Sequence, residues 1–291
     1  MRLKVNLQQI NSGQLISYNY QYPISCFINY TLIKYGANYL NWLIKNGFDQ
    51  NKNNLDYYTF SLLKIPEFES DVKSLKIISE EVNFSVGMLS DESFENSIMN
   101  IFRNKKLRIE SNSYLAEFRI NDIKKEEYLD FSGMVQFKTL SPIVIAQKVV
   151  FNGFESNYYM KPGDHDYSEQ FKNVLIKKYT SYLKNSGRYN LSWDSDTPYQ
   201  ITHFKIKGPV KSRLISIERK GVVVNKIRGF QFTFEISGDK NLIKFAYETG
   251  FGSYCGWGMG CVERDNNFTQ NFNSTIEVPL EHTFNYDSLY T

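Results

Sequence analysis

The chain has 291 residues, enough for about two domains of ordinary size, each able to bury its own core without disulfides or a structural metal. Apolar residues make up 42% and charged residues 22%, which excludes a disordered or fibrous chain, and no run approaches the roughly 18 apolar residues of a membrane span. The formal charge of +3 is too small to announce a nucleic-acid partner, so such a partner has to be read from local clusters.

Residues Arg2 to Gln9 alternate polar and apolar, which predicts a strand and not a secretory signal. A helix is expected from about Pro23, with Ile24, Phe27, Ile28, Leu32 and Tyr35 close to the spacing of one face, broken at Gly36. A second helical piece spans about Asn38 to Lys45, and Asn46-Gly47 supplies its stop. Extended segments follow near Tyr57–Ile65 and Leu75–Val86. Ser90-Asp91-Glu92 then reads as a helix start, with Phe94, Ile98, Ile101 and Phe102 as its apolar face, ahead of strands near Leu107–Glu110 and Tyr114–Ile120. The order is β-α-β-β-α-β.

From about Phe131 the pattern restarts: extended residues Met134–Ala146 around Pro142, then a helix carrying Phe171, Val174, Leu175, Tyr179, Tyr182 and Leu183. Extended segments at Gln200–Lys207 and Phe230–Ile236 bracket a basic stretch in which Gly221-Val222-Val223-Val224 reads as a further strand. A short helix is expected at Asn241–Thr249, then a glycine-rich loop and a last strand at about Met259–Arg264. The expected fold class is therefore α+β, with two tandem ferredoxin-like βαββαβ units at 1–130 and 131–265, the glycine-rich loop near the C-terminus, and a loosely held tail at 266–291.

Two stretches carry chemistry. Between Ile201 and Phe230 lie Lys205, Lys207, Lys211, Arg213, Arg219, Lys220, Lys226 and Arg228, with Glu218 as the one acid. Lys205 and Lys207 are two apart and share a strand face, and Lys211 with Arg213 repeats the pattern, as a row that follows a phosphate backbone would. Such residues also serve simply to keep a sheet soluble. The second stretch, Gly250 to Gly260, contains Gly250, Gly252, Gly256, Gly258 and Gly260, five glycines in eleven residues. Glycine permits φ > 0 and close backbone approach, and consecutive exposed amides can cradle an anion. A tight connection between a helix and a strand needs glycines for the same reason. The loop follows a helix and precedes a strand, the reverse of a dinucleotide-binding fingerprint, and no GK[ST] of a P-loop is present.

The spacing Gly252, five residues, Gly258-Met259-Gly260, preceded by Gly250-Phe251, resembles the glycine-rich loop of the RAMP (repeat-associated) proteins. Leu242–Glu248, Leu140-Ser141-Pro142-Ile143-Val144 and Tyr18-Asn19-Tyr20-Gln21-Tyr22 agree with it over roughly residues 1–265, and point to the branch of CRISPR-associated endoribonucleases that cut precursor crRNA within its repeats. That resemblance implies cleavage without metal or cofactor: the ribose 2′-OH attacks the adjacent phosphate, leaving a 2′,3′-cyclic phosphate. Such chemistry needs a base, an acid and a cation for the phosphate charge.

The family commonly places a histidine some fifteen residues after a tyrosine. Here the resemblance assigns the tyrosine to Tyr30 and the histidine position to about Lys45, with Lys52 as a second cation. The chain departs from the family at this point, since His165, His203 and His282 match no family site. A lysine with pKa about 10.4 is a poor base but a good stabiliser of phosphate charge. The ordinary readings stand beside these: Tyr30 as an aromatic at the core edge, Lys45 as a helix C-terminal cation, Lys52 as loop charge. The implied partners are CRISPR repeat RNA or crRNA and other Cas proteins of an effector complex, with no membrane, as a monomer or homodimer. The alternative function is a catalytically silent RNA-binding RAMP protein acting as a scaffold.

The odd cysteine count (Cys26, Cys255, Cys261), with no CxxC, predicts reduced thiols, no structural zinc and a cytoplasmic location.

Overall fold

The computed structural model describes residues 1–46, 57–111, 113–151, 153–188, 199–219 and 222–265. The first half runs β1 (Arg2–Gln9), β2 (Leu15–Ser17), α1 (Gln21–Tyr35), α2 (Ala37–Lys45), β3 (Tyr58–Phe60), β4 (Phe68–Ser70), β5 (Ser74–Ile77), β6 (Glu81–Met88), α3 (Glu92–Phe102), β7 (Lys106–Glu110) and β8 (Leu115–Lys125). The second runs β9 (Val135–Thr139), β10 (Ala146–Phe151), β11 (Phe154–Tyr159), α4 (Tyr167–Asn185), β12 (Ile201–Arg219), β13 (Val222–Gly238), α5 (Lys240–Thr249), a 3₁₀ turn (Cys255–Trp257) and β14 (Val262–Arg264). Among the described residues no helix is long and apolar enough to cross a membrane.

The alternation in β1 does what period 2 requires: Leu3, Val5 and Leu7 are buried while Lys4 is exposed. β1 sits in the middle of a five-stranded antiparallel sheet ordered β3-β6-β1-β8-β7. Its apolar face meets α1 through Phe27 and Ile28 and α3 through Phe102. The start of α3 is capped by Asp91, whose carboxylate accepts the Ser93 amide at 3.0 Å; Ser90, one residue earlier, lies outside the cap.

In the second half the order is β12-β13-β9-β14, again antiparallel, with α4 and α5 over the face carrying Phe204, Phe232, Phe234 and Ile236. Asp239 caps α5, accepting the Asn241 and Leu242 amides at 2.9 and 2.8 Å. In the second half the four strands of this sheet lie in the spatial order second, third, first, fourth; β1, β3, β6 and β8 of the first half repeat that order, with β7 added outside β8. One cluster of buried apolar residues runs from Met1 to Val262 through both halves.

Three features differ from the sequence expectation. A small sheet, β2-β5-β4, is added to the first half from strands of three or four residues, too short for periodicity to show. A hairpin, β10–β11, precedes α4; most of β11 is exposed, so its pattern lacks the buried alternation that marks a strand. The basic stretch is no separate strand between two others, because β12 and β13 run straight through it as one ribbon of 19 and 17 residues. The expected tail, from residue 266 on, lies outside the described residues.

Arg2 ties the two halves together. It is 4% exposed, and its guanidinium donates to Val262 O at 2.6 Å, to Tyr247 O at 3.3 Å and to Cys261 Sγ at 3.3 Å, and stacks 4.5 Å from the centre of the Tyr247 ring. Glu126 at 3.6 Å offsets the buried charge, and burial pushes the Cys261 thiol up, so it stays neutral beside the cation. Arg2→Met, which keeps the stem and removes the donors, should lower unfolding free energy in urea by about 2–3 kcal/mol. Arg108→Met, removing a half-exposed pair with Glu110 at 3.2 Å, should change it by less than about 1 kcal/mol.

Candidate nucleic-acid interface

The glycine-rich loop begins where α5 ends and folds back into the joint between the halves. Gly250, Gly252, Gly258 and Gly260 all have positive φ, between +73° and +96°, where side chains are strained. Space decides as firmly as φ: a Cβ on Gly258 would stand 2.5 Å from the Phe60 ring of β3, and one on Gly260 would stand 2.1 Å from Phe251 O. Gly256, inside the 3₁₀ turn, accepts the Ser25 hydroxyl of α1 at 2.7 Å, while Thr59 of β3 donates to Met259 O at 2.7 Å. Loop amides are spent on protein: Ser253 donates to Val144 O at 2.8 Å, Gly260 to Pro142 O at 2.8 Å, and Phe251 to Gly260 O at 2.9 Å. All five glycines are buried, so the loop is not an open cradle of amides for phosphate; it is a plug that fixes α1 and β3 of the first half against the second.

The basic ribbon divides. Cross-strand pairing puts Lys205 opposite Glu235, Lys207 opposite Thr233, Lys211 opposite Gln231 and Arg213 opposite Gly229, so these four share one face despite the bulge at Gly208 to Val210. Lys226 and Arg228 pair with Ser216 and Leu214 and lie on the opposite face. The ribbon changes which face it buries halfway along. Up to about residue 211 of β12, the face of Phe204, Phe234 and Ile236 packs on the helices and the lysine face is open. Beyond, Ile215, Ile217 and Ile227 turn the lysine side inward against Val144 and Met259.

Individual charges separate further. Lys207 is paired with Glu235 at 3.1 Å, and Arg213 donates to Tyr18 O at 2.8 Å, so both have protein partners. Lys205 and Lys211 are exposed on the open face, Lys226 and Arg228 on the other. Arg219 ends β12, and Lys220 lies outside the described residues. The eight cations expected to act together are therefore not one surface.

Tyr30 sits on α1 with 57% of its surface exposed, not at a core edge. Its hydroxyl accepts Lys34 Nζ at 2.7 Å, a helical i, i+4 contact that holds the Lys34 ammonium in its charged form by raising its pKa. Lys34 was absent from the expected site, although the Tyr-x-x-x-Lys spacing signals it. Lys45 is the last residue of α2 and exposed; Lys52 lies outside the described residues. Of the histidines, His165 pairs with neighbouring Asp166 at 2.5 Å in an exposed turn, and His203 lies 3.7 Å from Glu235 on the lysine face; His282 is outside the described residues. No group of three His, Cys, Asp or Glu side chains that could hold a metal occurs among the described residues.

Two antiparallel α+β halves are thus locked together by a buried glycine loop. Residues 121–264 match the family described as CRISPR associated protein Cas6, C-terminal. The chain is 26% identical over 265 residues to the CRISPR-associated endoribonuclease Cas6 1 of Methanocaldococcus jannaschii, covering 90% of this chain and 92% of that one. Among solved structures it is similar to a Cas6-related protein from Pyrococcus furiosus, with a TM-score of 0.71 at 22% identity over 92% of this chain and 99% of the other. It is equally similar to a RAMP protein described as binding different RNA substrates, with a TM-score of 0.71 at 21% identity over 91% of this chain and 100% of the other.

Gly260→Ala should prevent folding or cost more than about 3 kcal/mol, because a carbonyl blocks the methyl and φ is positive. Gly208→Ala, with φ +65° but nothing within 4 Å of its Cβ, should cost only about 1–2 kcal/mol. Thermal or urea unfolding of the two variants separates crowding from backbone strain, and equal losses would show that strain alone makes the loop glycines necessary.

Proposed function

We propose that the protein is an endoribonuclease that binds CRISPR repeat RNA and cuts it by attack of the ribose 2′-OH, giving a 2′,3′-cyclic phosphate without a metal. The family match over residues 121–264 and the name of the M. jannaschii relative support RNA processing in general. The observation that carries the catalytic part is the exposed Tyr30–Lys34 pair on α1. A lysine ammonium has donors only, so the tyrosine oxygen is the acceptor and its own proton remains to be donated elsewhere. The pair thus offers a hydroxyl donor and a fixed positive charge to one phosphate, with Lys45 as a further cation from α2.

The strand order second, third, first, fourth in both halves supports reading each as a ferredoxin-like unit, dividing near residue 130. RNA would lie along the open lysine face of β12, at Lys205 and Lys211. A second reading, a silent RNA-binding scaffold, is favoured by one observation: a lysine and not a histidine stands at position 45. Without a histidine to move protons, cleavage should run about 10²- to 10⁴-fold below a histidine enzyme.

The test is incubation with repeat RNA in EDTA and analysis of the product ends; a 2′,3′-cyclic phosphate is expected. Lys45→Ala should slow cleavage by about 10²-fold with affinity little changed, and Tyr30→Phe by less, because only a hydroxyl is lost. Tight binding with no cleavage by the wild type or by Lys45→His establishes the scaffold reading.

Binding itself has a separate check. Neutralising Lys205 and Lys211 should flatten the slope of log K against log salt by about 1.4, at about 0.7 per single-strand phosphate contact. Neutralising Lys226 and Arg228, on the other face, should leave it unchanged.

A further inference from the structure

Behind the Tyr30–Lys34 pair, the corner between α1 and α2 and the outer face of α3 enclose a groove of about 320 Å³, within the range of small-ligand sites. Tyr39, Phe94 and Ile98 form its apolar base, and Asn38 and Ser97 stand exposed on its rim. The base is rigid: the Tyr39 hydroxyl donates to Leu89 O at 2.6 Å, and the Tyr39, Trp42 and Phe94 rings pack with centroids 5.7 to 6.2 Å apart. Tyr35 closes one end. Two cations approach its ring, with Lys105 Nζ 3.6 Å and Lys34 Nζ 5.4 Å from its centre.

We propose that this groove is a nucleotide pocket that takes one unstacked base of the bound RNA, with the adjoining phosphate at Lys34 and Lys105. An apolar slot edged by an amide and a hydroxyl matches a base, which has a flat apolar face and a polar rim. The two lysines match the phosphate and not an apolar peptide. Lys34 also gives continuity, since the ammonium beside Tyr35 is the one that holds the Tyr30 hydroxyl, so RNA reaching Tyr30 passes the mouth of the groove. The assignment of RNA as the source rests on the proposed function; the groove's affinity for nucleotides does not.

The full chain is titrated by equilibrium dialysis with AMP, CMP, GMP and UMP, and with the corresponding nucleosides. At least one nucleotide should bind with Kd of about 1 mM or tighter. Ser97→Phe, at an exposed helical position that tolerates a larger side chain, should fill the groove and weaken binding tenfold or more. Lys105→Gln should weaken the nucleotide and leave its nucleoside unchanged. Absence of binding by all four nucleotides, or equal binding by Ser97→Phe, overturns the pocket. Repeat RNA carrying one abasic position at a time identifies the source: one position should lose affinity for the wild type and not for Ser97→Phe. A flat scan alongside groove-dependent nucleotide binding overturns RNA in favour of a free nucleotide. Failure to cut RNA overturns the proposed function alone, because the nucleotide titration needs no cleavage.

Discussion

The arrangement of the two halves depends on four positions at which no side chain fits. Gly250, Gly252, Gly258 and Gly260 let the loop pass through space already held by Thr59 and Phe60 on one side and by Val144 and Phe251 on the other. At Gly252, Gly258 and Gly260 the nearest atoms are backbone carbonyls and ring carbons, and not flexible side-chain ends, so nothing nearby can yield cheaply. The consequence is positional: α1 is joined to the second half through Ser25 and Gly256, and Tyr30 lies a little over one helical turn beyond Ser25 on the same helix. A loop whose amides bond to neighbouring carbonyls thus sets where the candidate catalytic tyrosine stands. Arg2 adds a second joint of a different kind, charge-assisted and directional, from β1 to the carbonyls of α5 and β14.

The β12–β13 ribbon shows how one hairpin serves two cores. A strand alternates faces, so a ribbon that leaves its sheet must bury whichever face its new surroundings cover. Near the lattice of Phe204 and Phe234 the aromatic face is inside, while past Arg213 the isoleucines of the other face meet the joint. The two-residue excess in β12 at Gly208 to Val210 keeps the pairing face constant across this change, with Lys207 and Lys211 on one side. Charge follows from that geometry: the lysine row is open only where the aromatic face is buried.

Legibility in the sequence followed signal strength. β1, the helices and their glycine stops were legible because each spans several turns or periods, as with Ile24, Ile28 and Leu32 on α1, all buried. The β10–β11 hairpin was not, since an exposed ribbon imposes no apolar alternation on residues 146–159. The glycine motif left two uses open, an anion cradle and a tight connection, because glycine's tolerance of positive φ is the same whether the loop faces an anion or a phenylalanine ring. Eight basic residues cluster in 30 positions, and period 2 with the pairing register places six of them on two faces. At the candidate site, Tyr30 and Lys45 came from resemblance, whereas Lys34, within hydrogen-bond distance of Tyr30, was legible from spacing alone.

The same pair shapes how proton transfer could proceed. A histidine enzyme has a group titrating near neutral pH and loses rate on both sides of it. With Lys34 held in its charged form by the Tyr30 oxygen, neither partner is placed to remove a proton from a 2′-hydroxyl at neutral pH. Solvent hydroxide is left as the base, while the pair neutralises charge on the phosphate. Under the cleavage reading the rate should rise continuously with pH from about 6 to 9, and the raised pKa of Lys34 keeps the cation in place across that interval. The sign is distinctive: Lys34 loses its proton only above its ordinary range, so the decline at high pH comes late. A rate profile with a maximum near pH 7 would require a proton carrier other than this pair, and would point to a histidine that the described geometry of α1 and α2 does not contain.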